Sequence, residues 1–173
     1  KNINKKLTER HPHIFDKNFK GDEPSKVKNW ELNKKKEKKR KSILDGVPNS
    51  LPSLIVSQRY QDKTGAVGFE WENSNQAMLK VDEELNELKN AIKNNDYKNI
   101  EEEIGDLLIT VVNIARFFNV SAELALKKTN KKFYRRFHHI ERVVNNKKQN
   151  IEDLSLKELL NYWEEAKNEE RSN

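Results

Sequence analysis

The sequence predicts an all-α protein. Three observations point there. Apolar residues recur at intervals of three and four along most of the chain, the spacing of an amphipathic helix. No stretch alternates apolar and polar residues as a half-buried strand would. Gly (5) and Pro (4) are scarce among 173 residues, so the frequent turns of a sandwich or barrel have no sequence support. With 34% apolar and 36% charged residues, only a thin core is affordable. The absence of cysteine removes disulfides, thiolate nucleophiles and cysteine-ligated zinc together. No run of about 18 apolar residues and no signal-peptide pattern occurs, so the expectation is a cytoplasmic protein without a membrane partner.

The net charge of +6 suggests a nucleic-acid partner until it is divided along the chain. Residues 1–45 hold 15 Lys/Arg against 7 Asp/Glu, a net of +8, and the remainder nets −2. The basicity thus sits in one segment, centred on the run from Lys34 to Lys41, and nucleic acid is not an expected partner. Apart from Ile14, Phe15, Val27, Trp30 and Leu32 this segment has little to bury, so it reads as a charged, partly helical linker, and residues 46–173 as the folded domain.

The elements follow in order. Val47-Pro48-Asn49-Ser50-Leu51-Pro52 punctuates the chain, and a helix begins with Leu54, Ile55 and Gln58, ending at Gly65 and Gly68. Val67-Gly68-Phe69-Glu70-Trp71 then sets two aromatics beside a turn. Met78, Val81, Leu85, Leu88 and Ile92 trace a second helix, whose stripe is expected to face the core. Asn94-Asn95-Asp96 breaks it. Ile100, Ile104, Leu107, Leu108, Val111, Ile114, Ala115 and Phe118 trace a third, the most apolar and therefore the expected centre. Asn119-Val120-Ser121 stops it and caps a fourth, running through Leu126, Phe133, Phe137, Ile140 and Val144, with Glu123 suited to the helix dipole. After a polar stretch from Asn145 to Asn150, Ser155-Leu156-Lys157-Glu158 reads as a capping box for a short last helix bearing Leu159, Leu160 and Trp163.

The chemistry lies in where acids border the apolar stripes. Glu84 and Glu87, three apart, share a face of the second helix; Glu103 and Asp106 repeat the spacing on the third. Two antiparallel helices joined by a short loop would gather the four carboxylates in one groove. Their mutual repulsion calls for a compensating cation or proton. Oxygen ligands without cysteine or a well-placed histidine suit magnesium or manganese, and an ion held that way suits phosphate chemistry. A single such pair in a chain with 28 acids reads as a solvated helix face; two pairs on consecutive helices around Gly105 favour a site. A glycine inside a helix costs about 1 kcal/mol relative to alanine, so a close backbone approach is expected at Gly105.

Lys128, Lys132 and Arg136, at a spacing of four, form a basic edge on the fourth helix suited to a phosphate, while Lys131 and Arg135 point elsewhere. Trp163 and Lys167 set an aromatic and a cation four apart on the last helix; Trp163 alone would read as core. His138 and His139 lack partners at ligand spacing and are taken as surface or core residues.

These residues carry a resemblance. Glu83-Glu84-Leu85-Asn86-Glu87 followed by Glu103-Ile104-Gly105-Asp106 resembles the acidic signature of the MazG nucleoside triphosphate pyrophosphohydrolases. Val67 to Trp71, Asp106-Leu107-Leu108, Val112 to Arg116, Asn130 to Phe133 with Arg135-Arg136-Phe137, and Tyr162 to Lys167 resemble segments of that family in the same order. Arg10-His11-Pro12-His13-Ile14-Phe15 resembles the end of a first MazG domain, which makes residues 1–45 the expected remnant of a preceding domain plus linker.

The resemblance implies an all-α bundle of four to five helices that forms a homodimer and hydrolyses a nucleoside triphosphate to the monophosphate and pyrophosphate with Mg2+, or Mn2+, as cofactor and broad base preference. It implies Glu84, Glu87, Glu103 and Asp106 as metal ligands, with Glu83 and Glu102 orienting the attacking water. Lys128, Lys132 and Arg136 are the implied phosphate contacts, Lys132 and Arg136 also stabilising the developing charge. Trp163, Lys167 and Trp71 approach the nucleotide, with Phe69 beside Trp71. Two other readings share these residues: a dCTP- or dUTP-selective enzyme of the same all-α group, and a non-catalytic nucleotide-binding dimerisation module.

Overall fold

The computed structural model describes Leu32, Lys34, Lys35 and residues 38–172. The linker and the Arg10 to Phe15 segment lie mostly outside these; residues 38–52 run through turns and bends. Among the described residues there are five α-helices, one 3-10 turn and no strand, as the spacing of apolar residues predicts. They fall into two compact units divided between Ala122 and Glu123.

The first unit contains α1 (Ser53–Gly65), α2 (Ser74–Lys93) and α3 (Tyr97–Phe117). Local chemistry sets their limits. The Asn73 side chain accepts the Gln76 amide at 3.0 Å to start α2, and the Asp96 side chain accepts that of Asn99 at 3.2 Å to start α3. Asn95, with φ 53°, ends α2: its amide donates to the Ile92 carbonyl and that of Asp96 to the Ala91 carbonyl, each at 3.1 Å. Asn119, with φ 54°, ends α3 through the same pair of bonds to Arg116 and Ala115. Asparagine tolerates this left-handed conformation better than most residues, which is why these positions break the helical pattern.

α2 and α3 form a hairpin, and α3 also packs on α1. Along α2 the seam is Ala77, Glu84 and Ala91, seven apart and buried, with Val81 and Leu88 half-buried between them. The alanines let the helices approach closely, and the middle position of the seam is a carboxylate. Against expectation, the stripe of Met78, Leu85 and Ile92 is exposed by 37–55%. The same holds on α3: Thr110 and Val112 are buried, while Ile104, Leu108 and Val111 stand 45–51% exposed, so the described residues do not enclose α3. Periodicity shows that a face is apolar and leaves open what covers it. Gly105 lies on this open side of α3, and an added Cβ would meet nothing within 4 Å, so the expected close approach is absent among the described residues.

The second unit is built from α4 (Ala122–Asn146), a 3-10 turn (Ile151–Asp153) and α5 (Leu156–Ser172). The capping box is present: the Ser155 amide donates to Glu158 Oε2 at 2.9 Å and the Ser155 hydroxyl to the same oxygen at 2.6 Å. α5 runs 17 residues rather than the short helix expected, and its second half is joined to α4 by the ion pairs of Glu170 with Arg135 and Arg136 as well as by buried Ala166. Ile140, Val144 and Ala166 are the buried apolar residues here.

Candidate active site

Adjacent antiparallel helices of about 30 Å bring the two acidic pairs together, since each helix carries its pair roughly midway along the shared seam. Glu84, Glu87 and Glu103 present carboxylate oxygens that all lie within 4.8 Å of one another. Glu84 is buried, Glu103 half-buried and Glu87 exposed, so the cluster opens from the seam toward solvent. Asp106, one turn on from Glu103, lies outside that tightest group and lines the neighbouring cavity together with Glu84.

Partial burial raises the pKa of Glu103 above the ordinary carboxylate value of 4.5, and the charges of Glu87, Glu84, Asp106 and Glu102 push it further in the same direction. The donor set is all carboxylate oxygen, and its negative charge is under-compensated. Both features fit a hard divalent cation such as magnesium or manganese. Glu84, Glu87 and Glu103 are the residues that would hold it, with Asp106 within reach of the same space.

Lys80 is a residue of this cluster that the sequence reading passed over. Its ammonium lies 2.8 Å from Glu83 and 2.8 Å from Glu84, and these bonds, that to Glu83 foremost, raise its pKa. The signal was available: Lys80 precedes Glu83 by three and Glu84 by four, positions that share a helix face. Glu83 is exposed and held by this lysine; Glu102 is exposed and acts on Glu103 through its charge.

A cavity of about 390 Å³ adjoins the acids. Phe69 and Trp71, 80% and 45% exposed, stand on its wall, and Lys80, Glu84 and Asp106 line its charged end. The turn after α1 puts the aromatics there. Gly68, with φ 91°, lets the Phe69 amide return to the Thr64 carbonyl at 3.0 Å. Arg116 pairs with Glu70 across the first unit, and a Cβ at Gly65 would approach Glu70 Oε2 to 2.8 Å, so the glycine leaves room for this pair.

In the second unit, Lys128 and Lys132 are exposed on α4. Arg136 is paired: its Nε and Nη2 donate to Glu170 Oε2 at 3.0 and 2.8 Å, and its guanidinium lies 5.6 Å from the Trp163 ring centre. Arg135, which the spacing directed elsewhere, binds Glu170 Oε1 at 3.0 and 3.2 Å. Trp163 packs on Phe133 with ring centres 5.1 Å apart, and Lys167 is bound to Glu164 at 2.7 Å. His138 is exposed and His139 is buried beside Glu169.

Comparison with known proteins accords with this arrangement of residues. Residues 72–141 match the MazG nucleotide pyrophosphohydrolase domain. Nucleoside triphosphate pyrophosphohydrolase/pyrophosphatase MazG of Thermotoga maritima is 42% identical over 95% of this chain and 63% of its own length. Nucleoside triphosphate pyrophosphohydrolase of Escherichia coli K12 is 36% identical over 97% of this chain and 66% of its own length. YabN of Bacillus subtilis, an uncharacterized protein, is 39% identical over 99% of this chain and 36% of its own length. The chain thus spans just under two thirds of the length of the first two relatives. The matched segment starts at the cap of α2 and includes both acidic pairs, Lys80 and the basic edge of α4, and on these grounds the chain belongs to the MazG family.

Proposed function

We propose that this chain hydrolyses nucleoside triphosphates to nucleoside monophosphate and pyrophosphate, with broad base preference and dependence on Mg2+ or Mn2+. The observation that carries the reading is the convergence of Glu84, Glu87 and Glu103 within 4.8 Å beside a cavity walled by Phe69 and Trp71, in a chain of this family. The names of the Thermotoga maritima and Escherichia coli relatives support the same reaction.

The ion, when bound, supplies charge neutralisation for the triphosphate and a Lewis acid at its oxygens. The residues of the chain do the rest. Glu84, Glu87, Glu103 and Asp106 fix its position. Glu83 and Glu102, both exposed, orient the attacking water by accepting hydrogen bonds from its O–H groups. Lys80 holds the buried Glu84 carboxylate in place by bonding it. Lys128, Lys132 and Arg136 neutralise phosphate oxygens, Lys132 and Arg136 as charge develops in the transition state. Trp163, Lys167 and Trp71 contact the nucleoside, an aromatic ring offering a face that stacks on any base.

Exposed apolar stripes on α2 and α3 support a homodimer, in which a second copy would cover Leu85, Ile104 and Leu108. The test is pyrophosphate release from a mixture of nucleoside triphosphates with magnesium, comparing the parent chain with Glu103→Ala and Asp106→Asn. Turnover in the parent that both substitutions abolish is expected. Unchanged rates in both variants would remove the acidic cluster from the reaction, and nucleotide binding without product would favour the non-catalytic module.

A further inference from the structure

The cavity beside the acids has a second end that the reaction itself does not use. Away from Lys80, Glu84 and Asp106 its wall is built from Gln61 of α1 and Asn113 and Arg116 of α3. Each of these three side chains has a polar atom shielded from solvent and without a hydrogen-bond partner among the described residues: Gln61 Oε1, Asn113 Oδ1 and Arg116 Nε. A buried polar group left unpaired is costly, and three side chains of one cavity wall carrying such atoms mark a place where a bound molecule would supply partners once the side chains turn toward it.

The three are not alike. Gln61 is pinned, since its Nε2 donates to the Ile109 carbonyl at 2.8 Å, and its Oε1 is therefore a fixed acceptor. Arg116 is pinned by Glu70, which also cancels its charge, and its Nε is a fixed donor. The Asn113 amide makes no hydrogen bond among the described residues, so it can turn over and offer either its oxygen or its NH2 group without losing a bond to them. A neutral end with a donor, an acceptor and a reversible amide, next to Phe69 and Trp71, suits a planar heterocycle with a hydrogen-bonding edge. The volume is in the range of roughly 300–1,000 Å³ typical of small-molecule sites.

We propose that Asn113, backed by Gln61 and Arg116, reads the hydrogen-bonding edge of the nucleobase, and that its freedom to turn over is what admits both amino and keto bases. This rests on the nucleotide reading above and deepens it. Adenine and cytosine present an amino donor where guanine and uracil present a carbonyl acceptor. A reversible amide answers both; a carboxylate accepts only.

The experiment measures kcat/KM for ATP, CTP, GTP and UTP in the parent, Asn113→Asp and Asn113→Leu. The ratio of the amino pair to the keto pair is expected to rise at least about tenfold in Asn113→Asp, because a keto base then faces an acceptor with no donor. In Asn113→Leu, KM is expected to rise for all four with kcat little changed. An amino-to-keto ratio in Asn113→Asp within about twofold of the parent overturns the proposal, since even one lost hydrogen bond exceeds that. Failure of either variant to fold is met by Asn113→Ala, a smaller truncation in which KM is expected to rise for all four; KM unchanged for all four would equally overturn the proposal. If the parent turns over none of the four, the reaction reading fails separately. The amino-to-keto ratio is then read from calorimetric dissociation constants of nonhydrolysable analogues, with the same criterion.

Discussion

Lys80 is the sharpest place to test how the acid cluster is held. Its ammonium lies 2.8 Å from Glu84, whose side chain is only 6% exposed, and 2.8 Å from Glu83, at 56%. The substitution Lys80→Met keeps the aliphatic stem and removes the charge. Losing the Glu83 contact should cost little, as exposed ion pairs contribute about 0–1 kcal/mol. Losing the Glu84 contact leaves a buried carboxylate facing Glu87 and Glu103. Breaking a fully buried pair costs about 3–5 kcal/mol; because the Lys80 side chain is 31% exposed, about 2 kcal/mol is the reasonable figure here. For a chain of this size that lowers Tm by roughly 4–8 °C. The assay is thermal unfolding by circular dichroism with EDTA and again with saturating magnesium or manganese, using exposed Lys89→Met as the control. The ion compensates the same carboxylate, so it should raise Tm more in Lys80→Met than in the parent and close most of the gap. A loss in EDTA below about 0.5 kcal/mol, the range of ordinary surface substitutions, would refute the burial argument. An equal shift by the ion in both proteins would refute the coupling of Lys80 and the ion through Glu84.

Two further outcomes follow from the same geometry. Gly105→Ala should stabilise the chain by about 1 kcal/mol, since the new methyl meets nothing within 4 Å, and a lowered Tm would show that another surface, such as a second copy, closes on the backbone there. Glu103 has a folded pKa above its ordinary 4.5, so its ionised form opposes folding at neutral pH, and that penalty fades as pH falls through the folded value. Metal-free Glu103→Gln should therefore have a higher Tm than the parent at neutral pH, with the gain gone near pH 4.5; a gain constant across that range would contradict the assignment.

The parts of the fold legible in the sequence were those fixed within a few residues. Ser155 and Glu158 are three apart and close their box without help, and Asn95 and Asn119 mark helix ends because their own backbone preferences do so. Two acidic pairs at helical spacing, separated by one break, were likewise enough to anticipate the hairpin that gathers Glu84, Glu87 and Glu103. The apolar stripes were assigned to a core because periodicity gives a face without its cover, and Leu85, Ile104 and Leu108 proved exposed. Arg136 was expected as a phosphate contact on spacing alone, and nothing within a few residues signals that Glu170, 34 residues away, also bonds its guanidinium. The amides of Gln61 and Asn113 gave no signal, since a lone amide in a helix has no pattern.

The sequence by itself determined the helices, their ends and the acid pairs, because each depends on backbone preferences and spacings of three or four residues. Only the tertiary structure decided that Glu84 occupies a buried seam position, that Lys80 is its counter-charge, and that Gln61, Asn113 and Arg116 line one cavity with the aromatics. Burial, desolvation and unpaired polar atoms are properties of what surrounds a residue, and what surrounds these residues comes from helices remote in the chain.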